Sequence, residues 1–191
     1  MFKFCRFNSK NTSLYQQYLM FKARVFATEF GWNISLSDSF PPSALKDSYD
    51  DTSIFVGCFC KREMIGVARV SGPKEPKPYS QLYEGYDALG CNFVVVTSVA
   101  VTPEYRGKKI ATSIEEGVGK VTIGRRIMEE VELLSGELGS EYQFLTAGYG
   151  RSEKFFCDLG FTIIRSKYDM DWAPVPLVDC VKPVKLKSKI K

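Results

Sequence analysis

The spacing of apolar residues divides the chain into short apolar runs and longer segments with a helical period. Short apolar runs predict buried strands, and they cover residues 2–7, 54–60, 64–70, 94–101, 142–147, 161–164 and 177–184. Apolar residues three and four positions apart predict amphipathic helices, and this spacing occurs at residues 14–25, 110–138 and 151–159. Strands and helices mixed in this order predict a single α/β domain built on a mixed sheet.

Three features interrupt this pattern. The first helix is expected to end near Trp32, and the polar segment 33–53 is expected to be a loop of a length that is often functional in compact domains. A loop rich in proline and lysine at 72–78 leads to a predicted short helix at 79–89. One long helix, or two short ones with a joint at residues 117–124, is predicted to open at Arg106, because each glycine there costs about 1 kcal/mol relative to alanine.

The overall composition is that of an ordinary globular protein, with 45% apolar and 25% charged residues among 191. No apolar run is long enough to cross a bilayer, and the N-terminal residues lack a signal-peptide pattern, so a cytoplasmic protein is expected. Six cysteines without metal-binding spacing are expected to be reduced, and no metal is expected. The chain has no histidine, which excludes Ser-His and Cys-His nucleophiles and disfavours zinc catalysis.

The net charge of +4 is concentrated at the C-terminus. Residues 182–191 hold five lysines and no acid, which leaves a charge of −1 on the rest of the chain. We expect one domain over residues 1–191 whose last ten residues form a flexible basic tail. Because the body has no basic bias, nucleic acid is not expected as a partner.

The apolar run at 94–101 leads through a turn into a basic segment, Arg106-Gly107-Lys108-Lys109, where the long helix is predicted to begin. The first N–H groups of a helix have no partner within the helix, and the helix dipole adds partial positive charge at the same place. A phosphate, most naturally a pyrophosphate, suits a site of this kind.

These residues resemble the cofactor-binding motif of the GNAT acyltransferases, Arg/Gln-x-x-Gly-x-Gly/Ala. Arg106 and Ala111 match the motif, and Lys109 replaces its middle glycine. The resemblance implies a GNAT-like mixed, mostly antiparallel sheet flanked by helices, with acetyl-CoA or another acyl-CoA as the acyl donor. It also implies that the cofactor is bound by ten residues, namely Val99, Val101, Arg106, Gly107, Lys108, Lys109, Ile110, Ala111, Thr112 and Phe156.

The segment 155–161 resembles the short helix and the Gly-Phe pair found near the C-terminus of that family. The family often has a tyrosine there, which protonates the departing thiolate, whereas this chain has Phe156. Aromatic residues at this place are also explained as plain core. By the same resemblance, backbone N–H groups near Val99 stabilise the oxyanion, and Val101 pairs with the pantetheine arm.

The N-terminal half resembles the acyl-homoserine-lactone synthases, which share the GNAT fold. Phe26, Trp32, Asp47, Asp50 and Arg69 match synthase residues that line the amine and acyl sites. The resemblance therefore implies that Phe26, Trp32 and Arg69 bind substrate, although the two aromatic residues are equally explained as core.

Two charged synthase residues on the central strand have no counterpart here. A glutamate and an arginine would fall near Val95 and Ser98, where this chain is uncharged. The synthases also lack a clear pyrophosphate loop, which favours coenzyme A as the carrier here and makes a homoserine lactone product unexpected.

The expected reaction is transfer of an acyl group, acetyl in the first instance, from acyl-CoA to a primary amine by direct attack. Since free amines are mostly protonated at neutral pH, a base must take a proton, and Glu29 and Asp50 are the candidates. The acceptor is a small molecule or a protein amine, and the protein is a monomer or a homodimer. Two alternatives stay open: a synthase of N-acyl amino acids or autoinducers that depends on acyl carrier protein, and a non-catalytic CoA-binding module.

Overall fold

The computed structural model describes residues 1–25, 45–75, 90–114, 117–170 and 173–185, with the side chains of 112–114 and of 117–118 left out. Nine strands, three α-helices and one short 3₁₀ turn occur in these residues. In chain order they are β1 (Phe2–Phe7), α1 (Thr12–Lys22), β2 (Ile54–Cys60), β3 (Glu63–Ser71), β4 (Phe93–Val101), the 3₁₀ turn (Pro103–Tyr105), β5 (Lys109–Ile114), β6 (Gly117–Thr122), α2 (Ile123–Glu137), β7 (Tyr142–Gly148), α3 (Arg151–Cys157), β8 (Thr162–Tyr168) and β9 (Leu177–Pro183).

Seven strands form one sheet in the order β1-β2-β3-β4-β7-β9-β8. Only β4 and β7 are parallel, and the five other neighbouring pairs are antiparallel. The predicted mixed and mostly antiparallel sheet flanked by helices is therefore confirmed. The polypeptide can run parallel at β4 and β7 because α2 provides the crossover connection between them.

Two helical layers cover the faces of the sheet. On one face α2 and α3 pack over a core that includes Val56, Val96 and Ile127. On the other face α1 packs its buried tyrosines and phenylalanine over Phe55 and Val67. Burial of both faces explains why β3 and β4 read as continuous apolar runs in the sequence.

The prediction of a helix that begins at Arg106 is wrong, because residues 109–122 form an antiparallel hairpin of β5 and β6. Ile110 lies opposite Val121, and both pack against the core beneath α2. β-Branched residues occupy alternate positions of β5, and β6 contains two glycines, and both residue types disfavour a helix. The helix begins only at Ile123, where Thr122 Oγ1 accepts a hydrogen bond from the N–H of Arg125.

Other sequence predictions differ from the structure mainly in their limits. The first helix ends at Lys22, and the strand expected at 161–164 runs to Tyr168. The predicted helix at 79–89 and the last six residues of the predicted basic tail lie outside the described residues. None of the helices in the described ranges is long and apolar enough to cross a membrane.

Candidate active site

The central feature of the site is a gap between the two parallel strands. β4 and β7 are paired only from Phe93 with Tyr142 to Val96 with Leu145. Beyond that point, residues 97–101 of β4 and 146–148 of β7 are not paired with each other, and we call the interval between them the β4–β7 gap. Residues 93–96 are buried, whereas residues 97–99 are partly exposed, so solvent reaches β4 where its partner leaves it.

A bulge distorts β4 at the start of this gap. Ser98 and Val99 together lie opposite the single residue Ala68, because Thr97 pairs with Arg69 and Ala100 pairs with Val67. Ser98 has φ of 53°, the left-handed conformation that costs a residue with a side chain about 1–2 kcal/mol. Lys61 and Arg62 are the other non-glycine residues with positive φ in the described ranges, and both lie in the turn between β2 and β3.

A cluster of charged and hydroxyl side chains holds β4 beside the bulge. Arg69 Nη1 lies 2.6 Å from Asp50 Oδ1 and 2.5 Å from Asp47 Oδ2. Its Nε donates to Thr97 Oγ1 at 2.8 Å, and the Tyr15 hydroxyl donates to Asp50 Oδ2 at 2.8 Å. We call these five residues the Arg69 cluster.

The charged groups of the Arg69 cluster are paired with one another, and Arg69 and Asp50 are buried. The side chains of Arg69 and Asp50 are 5% and 0% exposed, and a buried charge is tolerated only with a hydrogen-bonded partner. Burial acts to lower the pKa of Arg69, but Tyr18, Asp47 and Asp50 more than offset it and raise the pKa above its ordinary range. Burial, reinforced by the hydrogen bond to Asp50, raises the pKa of Tyr15, so this hydroxyl keeps its proton.

Asp47 gives the cluster a pH dependence. Burial acts to raise the pKa of Asp47, but Arg69 and Lys22 outweigh it and hold the pKa below its ordinary value. A carboxylate with a depressed folded pKa stabilises the protein above its unfolded pKa of about 3.9 and stops doing so as the pH falls through the folded pKa. We therefore expect wild type to be more stable than Asp47→Asn at neutral pH, and the difference to shrink below about pH 4. Urea unfolding of both proteins at a series of pH values measures this difference, and a pH-independent difference would contradict the ion pairing.

The N-terminus of α2 lies at the end of β4. A Cβ placed on Gly124 would lie 3.7 Å from Val101 Cγ2 and 3.3 Å from the Phe155 ring, so the missing side chain lets α2 approach both β4 and α3. Lys109 stands directly opposite the N-cap residue Thr122 in the hairpin, and Arg125 is exposed in the first turn of the helix. We call this group of backbone N–H donors and cations the α2 N-terminal site.

The hairpin changes where the predicted cofactor-binding residues lie. Gly107 has φ of 72° in the turn that precedes the hairpin, and Lys108 Nζ lies 4.3 Å above the centre of the Tyr105 ring. Ile110 is buried in the core, and Ala111 is exposed on the hairpin. Consequently Lys109 is the residue of this segment that the fold places beside the start of a helix.

The remaining predicted residues at this edge have different settings. Arg106 Nε donates to the carbonyl oxygen of Val101 at 2.7 Å and so borders the end of β4. The side chain of Thr112 is outside the described residues. Phe156 is 6% exposed and packs edge-on against Phe155 and Phe161, as a core residue does.

The predicted substrate residues are only partly visible. Arg69 and Asp50 are brought together, and Arg69 is bonded to Thr97 of β4. Phe26, Glu29 and Trp32 lie outside the described residues, so their predicted roles stay predictions.

Two features of the site were missed from the sequence. The first is the strained Ser98 with the Tyr18 hydroxyl 3.4 Å from its Oγ, since a strand of valines and threonine gives no signal for a left-handed residue. The second lies on the far side of the gap, where Asp179 accepts hydrogen bonds at 2.7 Å from Thr146 and Tyr168. Tyrosines at positions 15 and 18 did have the helical spacing of a buried face, but nothing identified their polar partners.

Comparisons by sequence and by structure differ in outcome. No protein-family model matches the sequence, and no curated protein matches it either. Solved structures do match it. The CoA-dependent acyl-homoserine lactone synthase BjaI, in complex with SAM and isopentyl-CoA, is similar with a TM-score of 0.69 and 15% identity, over 97% of this chain and 84% of that one.

Two smaller proteins align over nearly their whole length. An acyl-CoA N-acyltransferase from Pseudomonas aeruginosa is similar with a TM-score of 0.65 and 15% identity, over 95% of this chain and 99% of that one. An acetyltransferase of the GNAT family from Streptococcus pneumoniae is similar with a TM-score of 0.60 and 13% identity, over 97% of this chain and all of the other. The strand order, the β4–β7 gap and these similarities agree: the chain has the GNAT fold, which it shares with N-acyltransferases and with an acyl-homoserine lactone synthase.

Proposed function

We propose that the protein is an N-acyltransferase that takes an acyl group from acyl-CoA and passes it to a primary amine. The observation that carries the proposal is the β4–β7 gap, with a strained bulge at one end and the α2 N-terminal site at the other. Among structures with this fold, both an acyl-CoA N-acyltransferase and an acyl-homoserine lactone synthase bound to isopentyl-CoA are similar to the chain.

The gap suits the extended arm of coenzyme A. Residues 97–101 of β4 are not paired with β7 and suit an extended chain that adds as a strand, with the carbonyl oxygen of Val101 already bonded to Arg106 Nε. Val99 and Val101, predicted to contact the cofactor, lie on this stretch. The amide groups of the arm would replace the ladder partner that β7 provides for residues 93–96.

The α2 N-terminal site suits the diphosphate. The backbone N–H groups of Ile123 and Gly124 begin the helix, where the dipole favours an anion. Lys109 and Arg125 add positive charge, and both side chains are exposed. The lysine that interrupts the predicted motif thus becomes a reasonable phosphate ligand, supplied by the hairpin.

The chemistry requires a base, an oxyanion donor and a leaving group. Both oxygens of Asp50 are occupied by Arg69, Tyr15 and the N–H of Asp47, so this residue suits positioning better than proton transfer. Glu29 is then the candidate base that stays from the sequence prediction. The departing thiol has a pKa of about 8.5, so the thiolate can leave without an acid, which makes a phenylalanine at position 156 compatible with activity.

The proposal is tested by binding and turnover measured separately. We expect coenzyme A to bind in calorimetry, and acetyl-CoA to be consumed when amines are offered from a panel of amino acids, a diamine and a lysine-containing peptide. Loss of the thioester should be followed by ultraviolet absorbance, because the exposed Cys157 would react with thiol reagents. Binding without turnover of any thioester would favour the non-catalytic module.

The choice of donor is a separate question. The same acyl group offered on coenzyme A and on acyl carrier protein distinguishes a CoA-dependent transferase from the carrier-dependent synthase. We expect the CoA thioester to be preferred, because the α2 N-terminal site offers charge for a diphosphate that the carrier-bound form lacks.

A further inference from the structure

Ser98 is the one strained residue within a strand in the described part of the chain, and it lies where the proposed reaction would occur. Strained backbone persists only where the surrounding structure enforces it, and it is concentrated at functional sites. Glycine, which would adopt this φ without cost, is absent at position 98. The side chain is therefore a candidate for the function that the strain serves.

The surroundings of Ser98 are rigid. On one side, Thr97 is tied by its hydroxyl to Arg69, whose guanidinium is fixed by two carboxylates. On the other side, the Tyr18 hydroxyl lies 3.4 Å from Ser98 Oγ. Tyr18 is fully buried, packs against Phe55 at 4.4 Å between ring centres, and so has little freedom to move.

The direction of the Tyr18 hydrogen bond determines what Ser98 can do. The Tyr18 hydroxyl donates to Ser98 Oγ at 3.4 Å, and burial raises the pKa of Tyr18, so the phenol keeps the proton that it donates. A serine hydroxyl that accepts one hydrogen bond still has its own proton to donate. Ser98 itself is partly exposed, at the point where β4 and β7 separate. Its proton can therefore be directed into the β4–β7 gap.

We propose that the Ser98 hydroxyl, held by Tyr18, donates a hydrogen bond to the oxyanion that forms when the amine attacks the thioester. The inference rests on the proposed acyl transfer and adds a side-chain donor to the backbone N–H groups predicted near Val99. No covalent bond forms at Ser98, and its proton stays on Oγ throughout. Ser98 is in this view a catalytic residue, and Tyr18 is a positioning residue.

Three substitutions at position 98 separate the hydroxyl from the backbone. Ser98→Ala removes Oγ and keeps the strain, whereas Ser98→Gly removes Oγ and relieves the strain. Ser98→Asn supplies an N–H donor on a residue that tolerates the left-handed conformation. Loss of one oxyanion donor typically lowers kcat by about 100-fold, so we expect that loss in both Ala and Gly variants and partial recovery in Asn.

The experiment uses the full chain, acetyl-CoA and the amine that wild type acetylates fastest. We expect the dissociation constant for coenzyme A to stay unchanged in all three variants, because only the transition state gains from the donor. Ser98→Gly should unfold at the same temperature as wild type or higher, since the strain is removed. A Gly variant with wild-type kcat would overturn the proposal and leave only the backbone bulge.

Tyr18→Phe provides the matching test of the positioning role. It should lower kcat less than Ser98→Ala does and leave the KM for acetyl-CoA unchanged. In the Ser98→Ala background it should have no further effect on kcat, because the hydroxyl that it holds is gone. Additive losses would show that Tyr18 acts independently of Ser98 and would contradict the proposed hydrogen-bond chain.

The outcomes also separate this inference from the function on which it rests. Wild-type protein that consumes no thioester with any amine overturns both the acyl transfer and the role of Ser98. Wild-type turnover that is unchanged by all three substitutions retains the acyl transfer and overturns only the role of Ser98.

Discussion

Arg69→Met should destabilise the protein by about 3–5 kcal/mol, the cost of leaving a buried charge without its partner. Asp50 has no exposed surface and would keep only its hydrogen bonds from Tyr15 and from the N–H of Asp47. The Met side chain fills much of the same volume, so the loss reports the charge rather than a cavity. Denaturant unfolding followed by fluorescence and by circular dichroism measures it.

A control and a second variant make this prediction specific. Lys46→Ala breaks an ion pair with Asp51 in which the two side chains are 43% and 55% exposed, and it should cost less than about 1 kcal/mol. Adding Asp50→Asn to Arg69→Met should recover part of the stability, since it removes the unpaired buried charge while its side-chain oxygen can still accept a hydrogen bond from Tyr15. A double variant no more stable than Arg69→Met would show that the damage comes from packing.

Activity should fall together with stability in Arg69→Met, because Arg69 also positions strand β4. The guanidinium holds Thr97, the residue before the strained Ser98, through a hydrogen bond of 2.8 Å. Without it, the bulge in β4 loses one of its two polar supports, and the left-handed conformation has less to enforce it. Arg69 can thus have two separate roles. The sequence predicted that it binds substrate, and the structure adds that it positions strand β4.

The centre of the sheet was predictable from the sequence because β2, β3 and the first half of β4 are buried on both faces. Continuous apolar runs such as 54–60 and 94–101 follow directly from that burial, and their order in the chain gave the fold class. A buried partner for Arg69 was also within reach, because a charge in an otherwise apolar strand indicates a buried counter-charge, and the acidic segment 47–51 offered one.

The hairpin was not predictable by the same rules. Ile110, Ile114, Val118 and Val121 have helical spacing, but the segment forms two paired strands, and among its described side chains those of Ile110 and Val121 pack against the core. In a hairpin whose strands are only six residues long, the apolar positions can have the spacing of a helix by coincidence. The glycines at 117 and 119 carried the correct signal, which we interpreted as a joint within a helix.

Because the helix starts at Ile123 and not at Arg106, different residues lie at its N-terminus from those that the sequence motif predicted. The basic residues at 106–109 are no longer part of the turn that opens the helix. The hairpin nevertheless returns Lys109 to the side of Thr122, across one cross-strand pair. In a phosphate-binding loop, a lysine in place of the motif's middle glycine would crowd the phosphates. Lys109 lies instead on strand β5, where its exposed side chain stands beside the start of α2 and does not crowd them.

Arg125→Glu should weaken coenzyme A binding by about tenfold to a hundredfold and leave the fold intact or slightly more stable. Arg125 is the third residue of α2, and its N–H is already bonded to Thr122 Oγ1. A glutamate there completes the Thr-x-x-Glu capping box and places an acid where the helix dipole favours it. The same negative charge repels a diphosphate by about 1–3 kcal/mol at an effective dielectric constant near 20.

Opposite signs for stability and for binding are what make this substitution informative. The variant replaces an exposed contact with Glu129 at 3.8 Å by repulsion between two acids four residues apart, and each of these effects is below about 0.5 kcal/mol. Lys3→Glu on the edge strand β1 makes the same change of charge three strands away from β4, so it should leave the affinity for coenzyme A unchanged. Calorimetry at two salt concentrations should show the Arg125→Glu effect shrinking as salt rises, because exposed charges are screened. If Arg106→Glu weakens binding and Arg125→Glu does not, the diphosphate lies at the turn before the hairpin, where the sequence motif had placed it.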